Sequence, residues 1–441
     1  MADDAGPSST NRSDRDDAIA VVRRLREAGH VAYFAGGCVR DQLLGLEPKD
    51  YDVATDAPPQ RVRELFGNTQ AVGAAFGVIL VRHRRSVIEV ATFRADLEYR
   101  DGRRPEGVRF TTAEEDARRR DFTINGLFYD PVEDRVIDYV GGQKDLNDKL
   151  LRAIGDPDQR FGEDHLRLLR AIRFAARFGL EIEPQTAAAI RAHALQLKRI
   201  SPERVADELR RTFAGPDAEW AWRAMKYDYP ALAETIFRFA GPPPRDLKAD
   251  TDPNLFRGPE SGVIWPFGLS LAAASLEWSI HQANSGDIMK LLEPKRVAQA
   301  VRALRQSLRI SNDEAEQMEG ALAGLGILLR EPRPPRVATV KRFLARPTAA
   351  MSRELLAQLG CKIGANNVEA LQRTLDETSR TDYAPPPLIT GDDLTAAGLA
   401  PGPLFKRVLE EAYDAQLEER VKTKEQALRM ALASASRPPA T

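Results

Sequence analysis

Cysteine is nearly absent: two residues in 441, Cys38 and Cys361, stand far apart and in apolar company. That excludes a disulfide scaffold and a cysteine-rich zinc site, and it fits a reducing compartment. Cys38 as a nucleophile would need a base, and no histidine lies near it in sequence. Net charge is also lacking. The 64 Lys and Arg are balanced by 65 Asp and Glu, a formal charge of −1. No global basicity advertises a nucleic-acid partner, so any such surface must come from local clustering of cations. The opening stretch, MADDAGPSSTNRSDRDD, is polar and acidic and has no apolar core, so it does not read as a signal peptide. The longest apolar stretch, Ala71 to Val81, is too short to span a bilayer. No heptad and no longer repeat is evident. These absences predict a soluble cytoplasmic protein without membrane association, and no feature demands an obligate protein partner.

What is present begins with length. A chain of 441 residues is too long for one ordinary core, so two or more domains are expected. The most informative stretch is Gly36 to Thr55, GGCVRDQLLGLEPKDYDVAT, directly after the apolar run Val31–Phe34. Its first half reads as a strand that turns into a short helix through Gly36-Gly37. Glycine permits close backbone approach, and a helix N-terminus offers free N–H groups to an anion. Its second half reads as a strand carrying Asp50 and Asp52, which alternation puts on the same side. Two such carboxylates can hold Mg²⁺ ions about 3.5–4 Å apart, as in-line phosphoryl chemistry needs. Helical spacing at Ile19, Val22 and Leu25 predicts a helix from Asp16 to Gly29. Pro58-Pro59 opens a second, Gln60 to Phe66. Val78–Val81 and Ser86–Phe93 read as strands. In the latter, Glu89 sits between Ile88 and Val90, and is either the solvent face of an edge strand or a third active-site carboxylate.

Further along, Arg94 to Phe110 carries Gly102, Pro105 and Gly107 and reads as a loop of mixed charge. Arg118 to Asn125, RRRDFTIN, is either a charge cluster at a helix end or a phosphate and sugar site. Arginine is a planar, permanently charged donor suited to phosphate, and Asp121 and Asn125 can bond sugar hydroxyls. Arg160 to Phe178 reads as one strong helix. On it Asp164 and Arg167 are neighbours one turn apart, and Arg170, Arg173 and Arg177 continue a basic stripe. The pair is either an ordinary salt bridge or a reader of a base edge. In the second case the arginine donates and the aspartate accepts from the exocyclic amino group that cytosine and adenine share. Ser201-Pro202-Glu203 reads as a well-capped helix start. Past about residue 215 only helices are legible, near Leu269–Leu276, Arg296–Leu308, Asn312–Leu329, Met351–Leu359 and Asn367–Thr378.

The stretch from Gly36 to Asp52 resembles, without a gap, the head motif of the bacterial-type (class II) tRNA nucleotidyltransferase and poly(A) polymerase family. That family lies within the DNA polymerase β-like superfamily. The resemblance continues at IEVATFR around Glu89 and at RRDFTIN, where Arg120 takes the place of a triphosphate-contacting arginine. It extends through Asp138–Asp145, similar to a D-x-x-GG-x-x-D hinge, to Glu163-Asp164-x-x-Arg167, and to ISPERVADEL. A weaker likeness lies in ITGDDLTAAGLAPG near the C-terminus. The resemblance implies an α/β head with the polymerase β-like nucleotidyltransferase fold, followed by an all-α neck, body and tail. The expected boundaries are a disordered tail at 1–15, the head at 16–147, a nucleotide- and RNA-binding neck at 148–215, an RNA-binding body and tail at 216–433, and a disordered end at 434–441.

It also implies template-independent addition of CCA to tRNA 3′ ends from CTP and ATP. Asp50 and Asp52 would carry Mg²⁺, with Glu89 as a third catalytic acid. Gly36, Gly37, Arg40, Arg120, Asp121, Asn125, Asp164, Arg167, Arg170 and Arg173 would bind the nucleotide, Asp164 and Arg167 as the base template. The loop before Phe110 would serve the final A addition. Poly(A) polymerase shares these motifs, although VGAAFGVILV at Val72–Val81 looks more like the tRNA-enzyme form. The motifs are also compatible with an A-adding tRNA enzyme and with a non-catalytic RNA-binding relative, but intact Asp50 and Asp52 argue against a non-catalytic protein.

Overall fold

Residues 86–92 alternate with period two, and the computed structural model follows the pattern: Ser86, Ile88, Val90 and Thr92 are buried, while Val87 and Glu89 are exposed. The structure describes residues 9–72, 76–97, 107–237, 256, 264–282, 288–331 and 334–436. The chain divides into two compact units, Met1–Thr235 and Ile236–Thr441.

The first unit opens with α1 (Ser9–Glu27), β1 (Ala32–Ala35), α2 (Gly37–Leu43), β2 (Val53–Thr55), α3 (Pro59–Leu65), β3 (Thr69–Ala71), β4 (Val78–His83) and β5 (Ser86–Thr92). It continues with β6 (Arg94–Asp96), β7 (Val108–Phe110), α4 (Ala113–Arg118), β8 (Leu127–Asp130), β9 (Arg135–Asp138) and α5 (Gly142–Asn147). Seven strands form one sheet in the order β3-β4-β5-β2-β1-β8-β9. Only the central pair, β2 and β5, is parallel, with Val53 opposite Val90. α1 lies on the face that carries Ser86, whose hydroxyl donates to Asp17 at 2.8 Å, and it buries Ala18, Val21, Val22 and Leu25 completely. Full burial of such side chains contributes about 1.5–3 kcal/mol for each of the larger ones. α1 begins at Ser9, ahead of the expected Asp16, so residues 9–15 are helical rather than a disordered tail. Asp14, in that added stretch, reaches the same hydroxyl, its Oδ1 2.5 Å from Ser86 Oγ, as an alternative acceptor.

The opposite face has small residues at its centre, Ala35, Ala54 and Ala91. α4 closes part of it, with Ala113 and Ala117 packed in one cluster with Phe93 and Phe128. The remainder stays open as the floor of a cleft. The segment expected as a loop from Arg94 to Phe110 is in part a hairpin: β6 and β7 pair antiparallel, Arg94 opposite Phe110. Residues 98–106, with Gly102 and Pro105, lie outside the described residues.

The rest of the first unit is helical apart from β10 (Leu150–Leu151) and β11 (Glu181–Ile182). Its helices are α6 (Pro157–Glu163), α7 (Arg167–Phe178), α8 (Pro184–His193), α9 (Pro202–Phe213) and α10 (Ala218–Arg223), with α11 (Pro230–Ile236) at its end. The single helix expected from Arg160 to Phe178 is two helices, broken at Asp164–Leu166. The break has a local cause. The Asp164 carboxylate accepts from its own chain at Leu166 N (3.1 Å), the short-range bond by which aspartate competes with helix.

The second unit is helical: α12 (Phe267–Gln282), α13 (Ile288–Leu291), α14 (Pro294–Leu308), α15 (Asn312–Arg330), α16 (Val337–Leu344), α17 (Ala349–Gln358), α18 (Gly360–Ile363), α19 (Ala365–Ser379), α20 (Gly391–Ala396), α21 (Pro403–Leu417) and α22 (Lys424–Ala435). Each of the five helical stretches read from the sequence falls on one of them. α15 starts on a full capping box between Ser311 and Glu314. The last three pack around Leu394, Val408 and Ala412 in a small core of their own. Among the described residues, no helix is long and apolar enough to cross a membrane.

Candidate active site

β1 ends at Ala35, and the chain turns into α2 through Gly36, whose φ of +70° is the left-handed region that favours glycine. A Cβ there would lie 2.7 Å from Arg120 Nη1, so the guanidinium sits directly over the turn. Arg120 is set by three contacts: the Asp116 carboxylate at 2.9 Å, the Asn125 carbonyl at 3.1 Å and the face of Phe128 at 5.0 Å. Burial pushes the Asp116 carboxyl up, but Arg120 and Arg119 outweigh it and hold it below the usual range.

Asp50 and Asp52 stand ahead of β2 rather than within it, which corrects the expectation of a strand carrying both. The Asp52 carbonyl still accepts from Ala35 N at 3.0 Å. Beyond Ala35 the partner strand turns away at Gly36, so the ladder has nothing to offer Asp50. Asp52 and Glu89 immediately precede the paired Val53 and Val90 in neighbouring strands, and both line the cleft. Asp50 is exposed and does not line it. Asp52 keeps an exposed edge of its own, but the protein packed around it, then Glu89, then Asp50, push its carboxyl up to about 6, with Arg120 opposing. The donors are hard oxygens, mutually repelling, and an ion shared by Asp52 with Asp50 or Glu89 would relieve them, so the site fits. Among the described residues no three acidic, histidine or cysteine side chains form a cage by themselves. This is the setting in which Mg²⁺ is held by one or two carboxylates plus substrate phosphates. The Cys38 thiol beside Asp52 is buried and pushed up to about 12, which leaves it inert as a nucleophile.

The cleft, of about 580 Å³, is lined by nine arginines and four carboxylates. Each expected nucleotide-binding residue lines it: Gly36, Gly37, Arg40, Arg120, Asp121, Asn125, Asp164, Arg167, Arg170 and Arg173. They form a network rather than a loose patch. Arg40 is buried, donates to Asp41 at 2.8 Å and to Asn125 Oδ1 at 2.5 Å, and lies 4.3 Å from the Phe178 ring centre. Asn125 in turn donates to Asp121 at 3.0 Å. Arg170 donates twice to Asp121, at 2.6 and 2.8 Å. Burial alone would push Asp121 up; Arg170, Asn125 and Arg167 prevail and hold it well below the carboxylate range. Arg173 pairs with the buried Glu208.

Asp164 and Arg167 share the cleft but do not pair with each other. Arg167 bonds Glu163 at 2.6 Å, and Asp164 bonds Arg204 of α9 at 2.8 Å. The i, i+3 ion pair expected between them is thus replaced by ion pairs to other residues. Sequence reading placed Arg119 only within the RRRDFTIN cluster, and missed Arg204 in the lining and Asp116 and Glu208 behind it. The only signal was charge recurring at i, i+4 in ISPERVADEL, Arg204 and Glu208, which the cap signature obscured. The Asp138–Asp145 stretch is structural: the Asp138 carboxylate accepts from the backbone of Val140, Gly141, Gly142 and Gln143 at 2.8–3.1 Å.

A mixed sheet with a Gly-Gly turn at one strand end, Asp52 just ahead of one strand beside Glu89 on the next, and an arginine-lined roof is the architecture of the polymerase β-like nucleotidyltransferase fold. Residues 32–152 match the model of the poly A polymerase head domain, and residues 179–228 match that of the probable RNA and SrmB-binding site of polymerase A. Poly(A) polymerase I of Escherichia coli is 46% identical over 204 residues, 44% of each chain. The CCA-adding enzyme of Geobacillus thermodenitrificans is 40% identical over 247 residues, 51% of this chain and 61% of its own. The chain thus spans about half the length of the curated relatives it matches. The crystal structure of the Bacillus stearothermophilus CCA-adding enzyme in complex with CTP is similar over 95% of this chain and 96% of that one, with a TM-score of 0.63 and 26% identity.

Proposed function

We propose that this chain is a template-independent RNA nucleotidyltransferase that adds CCA to tRNA 3′ ends from CTP and ATP, releasing pyrophosphate, in the cytoplasm. The observation that carries it is one cleft in which Asp52 and Glu89 face nine arginines across an alanine floor. The arginine excess suits a triphosphate; Arg120 over the Gly36 turn and Arg40 beside it are placed to orient it. Asp121 and Asn125, already locked by Arg170 and Arg40, offer polar atoms to the sugar. Asp164 and Arg167 offer an acceptor and a donor to a base edge without any nucleic-acid template. Asp50 and Asp52 would hold Mg²⁺, which when bound activates the RNA 3′-hydroxyl and steadies the leaving pyrophosphate. Glu89, beside Asp52 on the next strand, shapes the field there.

Head and neck resemble a poly(A) polymerase I as strongly as they resemble CCA-adding enzymes. The likeness of nearly the whole chain to a CCA-adding enzyme favours tRNA. The test is to offer tRNA transcripts ending at the discriminator base, at C and at CC, with CTP and ATP separately and together. The expected result is two C then one A, and arrest. Long A tails would make the protein a poly(A) polymerase, A addition confined to the CC transcript would make it an A-adding enzyme, and no addition would leave it a binding protein.

A further inference from the structure

The proposed base reader does not stand alone. Asp164 sits in the break between α6 and α7, where its carbonyl accepts from Arg167 N at 3.0 Å but its side chain lies outside either helix. Both carboxylate oxygens are nonetheless engaged. Oδ1 accepts from Leu166 N at 3.1 Å, and Oδ2 accepts from Arg204 Nη2 at 2.8 Å. The first bond ties the side chain to its own turn. The second comes from a different helix, 40 residues on, and fixes the remaining rotation of the carboxylate. Arg204 lines the same cleft as Asp164. Four residues further along α9, Glu208 holds Arg173 in the same manner. One helix face therefore presents a cation and an anion, at i and i+4, to an anion and a cation of the nucleotide-facing element.

We infer that Arg204 is a specificity-determining positioning residue: it holds Asp164 aimed as a hydrogen-bond acceptor, and so governs the choice of CTP and ATP over UTP and GTP. This rests on the reading of Asp164 as the base-edge acceptor. An acceptor discriminates between an amino group and a carbonyl oxygen only while its lone pairs point at that atom. A carboxylate tethered on one side alone can rotate, and a rotated carboxylate leaves a carbonyl unopposed. Arginine suits the task because its charge is permanent and its planar fork loses little freedom on bonding, whereas lysine supplies a point charge without the plane. Arg204 itself need not touch the nucleotide.

The experiment measures kcat/KM for CTP and for UTP on a tRNA transcript ending in its first C. The full-length wild type is compared with Arg204→Ala, Arg204→Lys, Asp164→Ala and the double variant Asp164→Ala/Arg204→Ala, with a thermal melt of each. Glu203→Ala, an exposed neighbour on α9, serves as control. The expected result is a loss of CTP-over-UTP preference of about tenfold in Arg204→Ala, the scale of one misaligned buried polar contact. Arg204→Lys should recover part of it, and the double variant should lose no more than Asp164→Ala alone. Equal falls in both kcat/KM values, leaving the ratio unchanged, would overturn the inference and make Arg204 a purely structural pair. So would additive losses in the double variant. If Asp164→Ala keeps full preference, the base-reading assignment fails first, and the inference with it. If Asp164→Ala loses preference while Arg204→Ala does not, only the inference fails.

Discussion

Asp121 keeps its charge although it is buried, because Arg170 approaches it with two donors and Asn125 with a third. Asp121→Asn would leave Arg170 facing a neutral amide, and breaking such a pair from one side costs about 3–5 kcal/mol. A drop of about 3 kcal/mol in urea-unfolding stability is expected at neutral pH, since Arg170 keeps an edge in the cleft. The pH sign follows from the depressed carboxyl. Its contribution is complete above the unfolded value near 3.9 and is lost only as the pH falls below it toward the folded value, so the deficit of the variant should be flat from about pH 5 to 8. Asp52 gives the opposite picture, a carboxyl destabilised in its charged form first by desolvation and then by Glu89 and Asp50. Asp52→Ala should abolish nucleotide addition while tRNA binding, measured by filter retention, stays within about threefold. The melt should rise slightly or stay level, because a repulsion has gone. Near-normal turnover would remove Asp52 from the catalytic set.

Elements meet at glycines where backbones touch. A Cβ on Gly142, at the start of α5, would lie 2.2 Å from the Thr123 carbonyl oxygen, in the turn that carries Asn125. Backbone cannot step aside as a side-chain tip can. Gly142→Ala should therefore cost about 1–3 kcal/mol by overpacking and also raise KM for nucleotide, since it displaces the turn that positions Asn125. An unchanged melt would show that α5 slides freely. Gly36-Gly37, RRRDFTIN and the Asp164–Arg167 spacing are local signals, and local signals survive in sequence. The helix break was not legible, because Arg160–Phe178 is rich in strong helix formers and only the Asp164 bond to Leu166 N tips it. Arg204 and Glu208 were not legible as site residues either. Their partners lie 40 and 35 residues away, and pairing across helices has no sequence period. Asp50 and Asp52 were misassigned to the strand because alternation says nothing of where a partner strand ends.

At the scale of the molecule, charge is unevenly distributed. On α14, Lys295, Arg296, Arg302 and Arg305 are exposed, as is Arg309 just past its end. Arg302, Arg305 and Arg309 border a groove of about 630 Å³. Arg302→Ala/Arg305→Ala should weaken tRNA binding and lower the slope of log K against log salt by about one for each phosphate no longer neutralised, with kcat unchanged at saturating tRNA. A salt slope equal to that of wild type would rule that face out as an RNA-binding surface.

The arginine cleft has a consequence for the rest of the surface. Nine arginines against four carboxylates give it five positive charges in excess, and the whole chain carries −1, so everything outside the cleft is left with six negative charges in excess. Spread over the remaining surface and broken by the exposed cations of α14, those six charges repel weakly, whereas the five in the cleft are concentrated, so the field steers an anion toward the opening. The near-neutral total therefore conceals a field with a direction, concentrated at the cleft and diffuse elsewhere.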